Sequence, residues 1–164
     1  MGPHWADVTM ALVAVGSLFV TAVGLYAVYL QIRKLRDAIW GETHGRLCDQ
    51  SLELLRFLAE RPQTYDYFYT GKELENDNPD RVFVLYASEA LVNFLEHLVL
   101  QRQNLPERQW ATWRQFICSK YDGSPVVRAF IKEHRDWYSV ELTAIADECE
   151  ARLVAKPVTT NKSP

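Results

Sequence analysis

Glu89, Asn93 and Glu96 are spaced four and three residues apart, so on a helix they line one stripe, with His97 adjoining. Two carboxylates and an imidazole could hold a metal or pass protons. A di-metal helical bundle, however, needs Glu-x-x-His on two helices plus further carboxylates. The chain contains no Glu-x-x-His; Glu96–His97 and Glu133–His134 are adjacent pairs that point to different faces. The stripe therefore reads as polar side chains bonding to neighbouring helices, with Arg81 or Arg102 as ion-pair partners, and neither a metal nor a cofactor is expected.

A second group is Tyr65, Tyr67 and Tyr69 with Lys72. Aromatics beside a cation can stack a nucleobase, and the cation can meet a phosphate. Helix N-termini at Pro79, Pro106 and Pro125 could also receive phosphates. Against a ligand site, the segment lacks a glycine-rich cradle and a second basic residue close by, so the aromatics read more simply as a plug against a core. A third group is Trp110, Trp113 and Trp137 with Tyr138, flanked by Arg108 and Arg114. Exposed, these would make an interface or rest on a bilayer surface; the spacing of Trp110 and Trp113 favours core. Ser51, Ser88, Ser119 and Ser139 lack a G-x-S-x-G setting. Cys48 lies one helical turn from His44, but no third group orients the pair. No catalytic residue is assigned.

The elements that must position these residues begin with the apolar run Val8–Leu30, 23 residues without a charge. As a helix it spans roughly 34 Å, enough to cross a hydrocarbon core. A signal peptide would want a positive n-region and a shorter apolar core. Thr9, Ser17 and Thr21 are its only serine or threonine residues, and their hydroxyls can bond back to their own helix. Arg33, Lys34 and Arg36 follow at once, against Asp7 on the other flank, which predicts a cytoplasmic C-terminal side. Trp5 at one end and Tyr26 and Tyr29 toward the other resemble interfacial anchors. Gly16 and Gly24, with Ala27, offer a small-residue face on which copies could associate. The expected organisation is an extracytoplasmic segment 1–7, a span 8–30, a cytoplasmic helical domain 31–155 and a disordered tail 156–164.

Beyond the span, Ile32, Leu35 and Ile39 continue helical spacing, and Gly41 and Gly45 suggest a hinge or break. Leu47, Leu52, Leu54, Leu55 and Leu58 resume the pattern until Pro62. Residues 61–78 read as a loop. Asn78 looks like an N-cap with Pro79 at the first helical position. The wide apolar face from Val82 to Leu98 predicts a helix at the centre of the core. Pro106 and Ser124–Pro125 open two more helices, and Ser139 caps a last one running to about Leu153. No segment alternates as a strand does, and no fixed repeat or long heptad array occurs. The fold class expected is all-α: one N-terminal transmembrane helix continuing into a cytoplasmic bundle of about five helices.

Charge and cysteine content narrow the partners. All 18 Lys and Arg lie after residue 30, facing 20 acids there, so the C-terminal part is near neutral and long nucleic acid is not expected. Cys48, Cys118 and Cys149 are far apart, which suits a reducing compartment better than a disulfide scaffold. The stretch R-P-Q-T-Y-D-Y-F-Y-T-G-K (Arg61–Lys72), then L-E-H-L-V-L-Q-R (Leu95–Arg102), W-A-T-W (Trp110–Trp113) and W-Y-S-V-E-L (Trp137–Leu142) resemble, in that order, a family of uncharacterised bacterial membrane-anchored helical proteins. The resemblance covers roughly Leu25–Leu142. It implies a single span, a cytoplasmic helical domain and a bacterial source, and it carries over no catalytic residue; taken with the flanking charges, the expected place is a bacterial inner membrane with the N-terminus outside. The expected role is a membrane-tethered interaction module whose partners are the bilayer, further copies of itself or a cytoplasmic protein. The alternative is a membrane effector gated by a signalling nucleotide, by analogy with defence against phage.

Overall fold

From Pro3 to Ala59 the chain has no internal proline, and strong helix formers surround its few glycines. One helix results, α1 (Pro3–Ala59). The break expected at Gly41 and Gly45 does not occur. A glycine in a helix costs about 1 kcal/mol relative to alanine, which long flanking segments absorb. A Cβ at either position would meet nothing within 4 Å, so neither glycine serves close packing. Thr9 donates to the Trp5 and Ala6 carbonyls, Ser17 to Ala14 and Thr21 to Ser17, so these hydroxyls are satisfied within the helix.

The computed structural model describes residues 3–155, so the expected tail 156–164 lies outside the described residues. Among them are six α-helices and no strand. Besides α1 these are α2 (Tyr65–Tyr69), α3 (Arg81–Leu100), α4 (Glu107–Gly123), α5 (Pro125–Glu133) and α6 (Val140–Ala155). The chain divides into two compact units, one up to Glu42 and one from Thr43. In the first, every large apolar side chain between Val8 and Leu30 is exposed. α1 is long and apolar enough to cross a membrane. α3 passes the same test, but half of its apolar window is buried inside the bundle, which marks it as a core helix.

The second unit is built around α3, which packs against α5 and α6; α4 lies against both of these and against α2. Val84, Ala87, Leu91, Val92, Leu95 and Leu98 of α3 are buried. Val82 and Tyr86 are not, so the apolar face expected from Val82 onward reaches the core from Phe83, which is half-buried against it. Leu47 is the point at which α1 enters this core; Leu54 and Leu58 are half-buried, and Leu52 and Leu55 are exposed.

Helix ends follow cap chemistry. Pro62 opens a single 3₁₀ turn, and the segment read as a loop then holds the short α2. Gly71, at φ 82°, lets the Lys72 N–H turn back onto the Asp66 carbonyl. α3 starts at Arg81, two residues later than expected. Asn78 Oδ1 accepts from the Asp80 N–H, which makes an Asx turn rather than a helix cap. Ser124 is the N-cap of α5: its buried Oγ accepts from Val127 N at 3.2 Å and donates to the Tyr67 carbonyl at 2.7 Å. That single hydroxyl ties α2 to the start of α5. Ser124→Ala should lower stability by about 2 kcal/mol, a lost cap plus an orphaned buried carbonyl. Thermal or chaotrope unfolding of the full chain in detergent checks this, and an unchanged midpoint would contradict it.

Candidate functional site

The carboxylate stripe of α3 splits between two neighbours. Glu96 reaches the start of α6, where its carboxylate accepts from Ser139 N at 2.9 Å and from Ser139 Oγ at 3.0 Å. Ser139 Oγ in turn accepts from Leu142 N. Glu96 therefore places a negative charge at a helix N-terminus and holds its cap in position. One turn earlier on α3, Asn93 Oδ1 accepts from the Tyr138 hydroxyl at 3.2 Å. Burial pushes the Tyr138 phenol up to about 12, and the nearby charges of Glu89 and Glu96 add to the shift. His97 faces the other way, toward α1, with Nδ1 at 2.7 Å from Gln50 Oε1 and Nε2 at 3.3 Å from Gln101 Nε2. Those partners fit an imidazole carrying its hydrogen on Nδ1. Glu96 thus pairs with Ser139 rather than with Arg81 or Arg102. Arg102 lies over the Trp110 ring, 5.5 Å from its centroid. Among the described residues, no three His, Cys, Asp or Glu side chains gather where a metal could sit.

The tyrosines are also divided. Tyr67 is buried, its hydroxyl taking a hydrogen bond from Asn78 Nδ2, and the Lys72 ammonium sits 4.9 Å from the centroid of its ring. Tyr65 and Tyr69 stack on each other at the surface, centroids 4.4 Å apart and planes 3° from parallel. The Lys120 ammonium from α4 lies 3.4 Å from the Tyr69 centroid. A stack this close leaves no room between the rings, so Lys120 covers the far face of Tyr69. Only the outer face of Tyr65 remains open for stacking. Leu55, Leu58, Pro62, Tyr65, Phe68 and Tyr69 line a shallow, mainly apolar hollow of about 460 Å³ beside them.

Lys120 is the residue here that the sequence does not bring to notice, because it meets Tyr69 only through the packing of α4 on α2. Half-burial pushes its ammonium down to about 8, while the faces of Tyr69 and Phe116 favour the charged form and offset part of that loss.

Of the tryptophans, Trp110 is buried. Trp113 is half-buried, edge-on to Phe94 and Phe116 and near His44. Trp137 is 63% exposed and stacks on His134 with centroids 4.1 Å apart. The three do not form one surface. Cys48, Cys118 and Cys149 are free thiols, and burial pushes Cys149 up to about 12 beside the Cys118 thiol. Cys48 Sγ lies 3.7 Å from His44 Nε2. Nothing in these arrangements brings a nucleophile, a base and an orienting group together. Compared with known proteins, the chain matches no family model, no curated protein and no solved structure.

Two outcomes follow from this geometry. Glu96→Ala should cost about 2 kcal/mol, since it removes two charge-assisted bonds at a helix end, and Glu96→Gln should recover part of it. Equal melting points for the wild type and both variants would contradict the capping role. Lys120, ordinarily near 10.5, binds fewer protons in the folded than in the unfolded chain between about 8 and 10.5. It therefore makes stability rise with pH across that window. The difference in melting point between wild type and Lys120→Met should move in favour of wild type from pH 7.5 to 10. A flat difference would contradict the burial of that charge.

Proposed function

We propose that this chain is a membrane-tethered assembly module: α1 crosses a bilayer through Val8–Leu30 and displays the helical bundle on the cytoplasmic side. The observation that carries the reading is the complete exposure of the large apolar side chains of Val8–Leu30. Each is worth about 1.5–3 kcal/mol on transfer from water. Over this stretch the sum is on the order of 20 kcal/mol, more than a domain's usual net stability. Among the described residues none covers them, and lipid would. Arg33, Lys34 and Arg36 support the orientation.

The polar groups that could have done chemistry are engaged inside the bundle: Glu96 and Asn93 reach Ser139 and Tyr138 before the last helix, and His97 meets Gln50 of α1. The nucleotide-gated alternative has less behind it, since Tyr67 is buried, Lys72 lies on its ring, and Tyr69 is covered on both faces.

Alkaline carbonate treatment of membranes from cells expressing the chain should leave it in the pellet. Light scattering in lipid nanodiscs should give a mass above one chain. Release by carbonate would defeat the tether, and a strictly monomeric mass with no co-purifying partner would defeat the assembly role.

A further inference from the structure

Within the unit up to Glu42, Leu25, Val28, Ile32, Leu35 and Ile39 recur at steps of three, four, three and four residues. Their mean spacing of about 3.5 is that of a helix that wraps a second helix, and it keeps them on one face. Inside the apolar stretch such a pattern discriminates nothing, because all faces are apolar. After Leu30 it does. Gln31, Arg33, Lys34, Arg36 and Asp37 surround the line, and Ile32, Leu35 and Ile39 remain 61%, 62% and 42% exposed.

Lipid is a poor occupant for this face. The helix continues directly from the apolar stretch, so it cannot lie flat on the bilayer. Ile39 stands nine residues beyond Leu30, roughly 13 Å along the axis, while a headgroup layer is only about 5–8 Å thick. Among the described residues nothing covers the face either.

We propose that Val28, Ile32, Leu35 and Ile39 are one side of a parallel two-helix seam with a second copy of this chain. The inference rests on the tether reading, which also sets the direction: copies inserted by one rule into one membrane run parallel. Isoleucine at one core position, Ile32 and Ile39, with Leu35 at the other is the combination that favours two parallel strands. Arg36, beside the seam, is drawn back along its own helix, with its guanidinium 4.6 Å from the Trp40 ring centroid and its Nε 3.9 Å from Asp37. Like charges are thereby kept from facing each other across the contact. The seam ends where the same spacing arrives at Glu42 and Arg46. Gly16 faces away from it and Gly24 lies at its flank, one turn before Val28, so a contact centred on the two glycines is the competing one.

The test uses the full chain in membranes, on a Cys48→Ser background, with single cysteines placed along 32–39 and oxidised with copper phenanthroline. Ile32→Cys, Leu35→Cys and Ile39→Cys should each give several-fold more disulfide-linked dimer than Arg33→Cys and Lys34→Cys. Leu35→Lys, at an exposed position, should lower dimer association at least about tenfold in nanodiscs without moving the melting point of the bundle. Equal cross-linking around the helix, a maximum at Lys34→Cys, or dissociation by Gly24→Leu but not by Leu35→Lys would overturn the seam. Carbonate extraction of the same membranes separates the two failures: release of the chain sinks the tether, whereas a retained chain with a flat cross-linking pattern sinks only the seam.

Discussion

The apolar surface of α1 between Val8 and Leu30 constrains everything else about this protein. It is large to leave in water, and among the described residues nothing covers it. On the proposed reading a bilayer covers it along its length, and membrane attachment comes before the other properties of the chain. The cations that follow, Arg33, Lys34 and Arg36, then suggest which side carries the bundle. On that reading the residues after the span take their direction from it, which is what would make the proposed seam of Ile32, Leu35 and Ile39 specific for a parallel copy.

The bundle solves a separate problem, burying a small core with short helices. α3 supplies the largest share of that core. Three of its polar residues are spent on neighbouring segments. Glu96 steadies the start of α6, Asn93 holds Tyr138, and His97 meets Gln50. Ser124 does the same for α5 while holding the Tyr67 carbonyl. The surface ion pairs between α6 and its neighbours, Arg114 with Glu148, Arg135 with Asp147 and Lys132 with Glu150, are solvent-exposed and secondary to these.

What the sequence makes legible is what chemistry encodes locally. The uncharged run, the proline at 62, and the caps at Ser124 and Ser139 can each be read from a few neighbouring residues, as can the all-helical class. The start of α3 is misjudged by two residues because Asn78 serves an Asx turn, an alternative open to the same side chain. Gly41 and Gly45 look like a break only if their cost is considered apart from the long helix on both sides. In the carboxylate stripe the partner of Glu96 is a serine at the head of α6, which no arginine spacing could indicate. Lys120 on Tyr69 is a product of tertiary packing alone. The grouping of Tyr65, Tyr67, Tyr69 and Lys72 by sequence proximity fails for the same reason: α2 turns Tyr67 inward and leaves Tyr65 and Tyr69 outside.

The account stands or falls on α1 crossing a bilayer with the bundle on the cytoplasmic face. Single cysteines at His4 and at exposed Glu133, on a Cys48→Ser background, can be labelled with a membrane-impermeant maleimide in intact cells and in inverted vesicles. The account predicts that His4→Cys reacts in cells and Glu133→Cys only in inverted vesicles. Labelling of both from the same side, or of Glu133→Cys in intact cells, would contradict it.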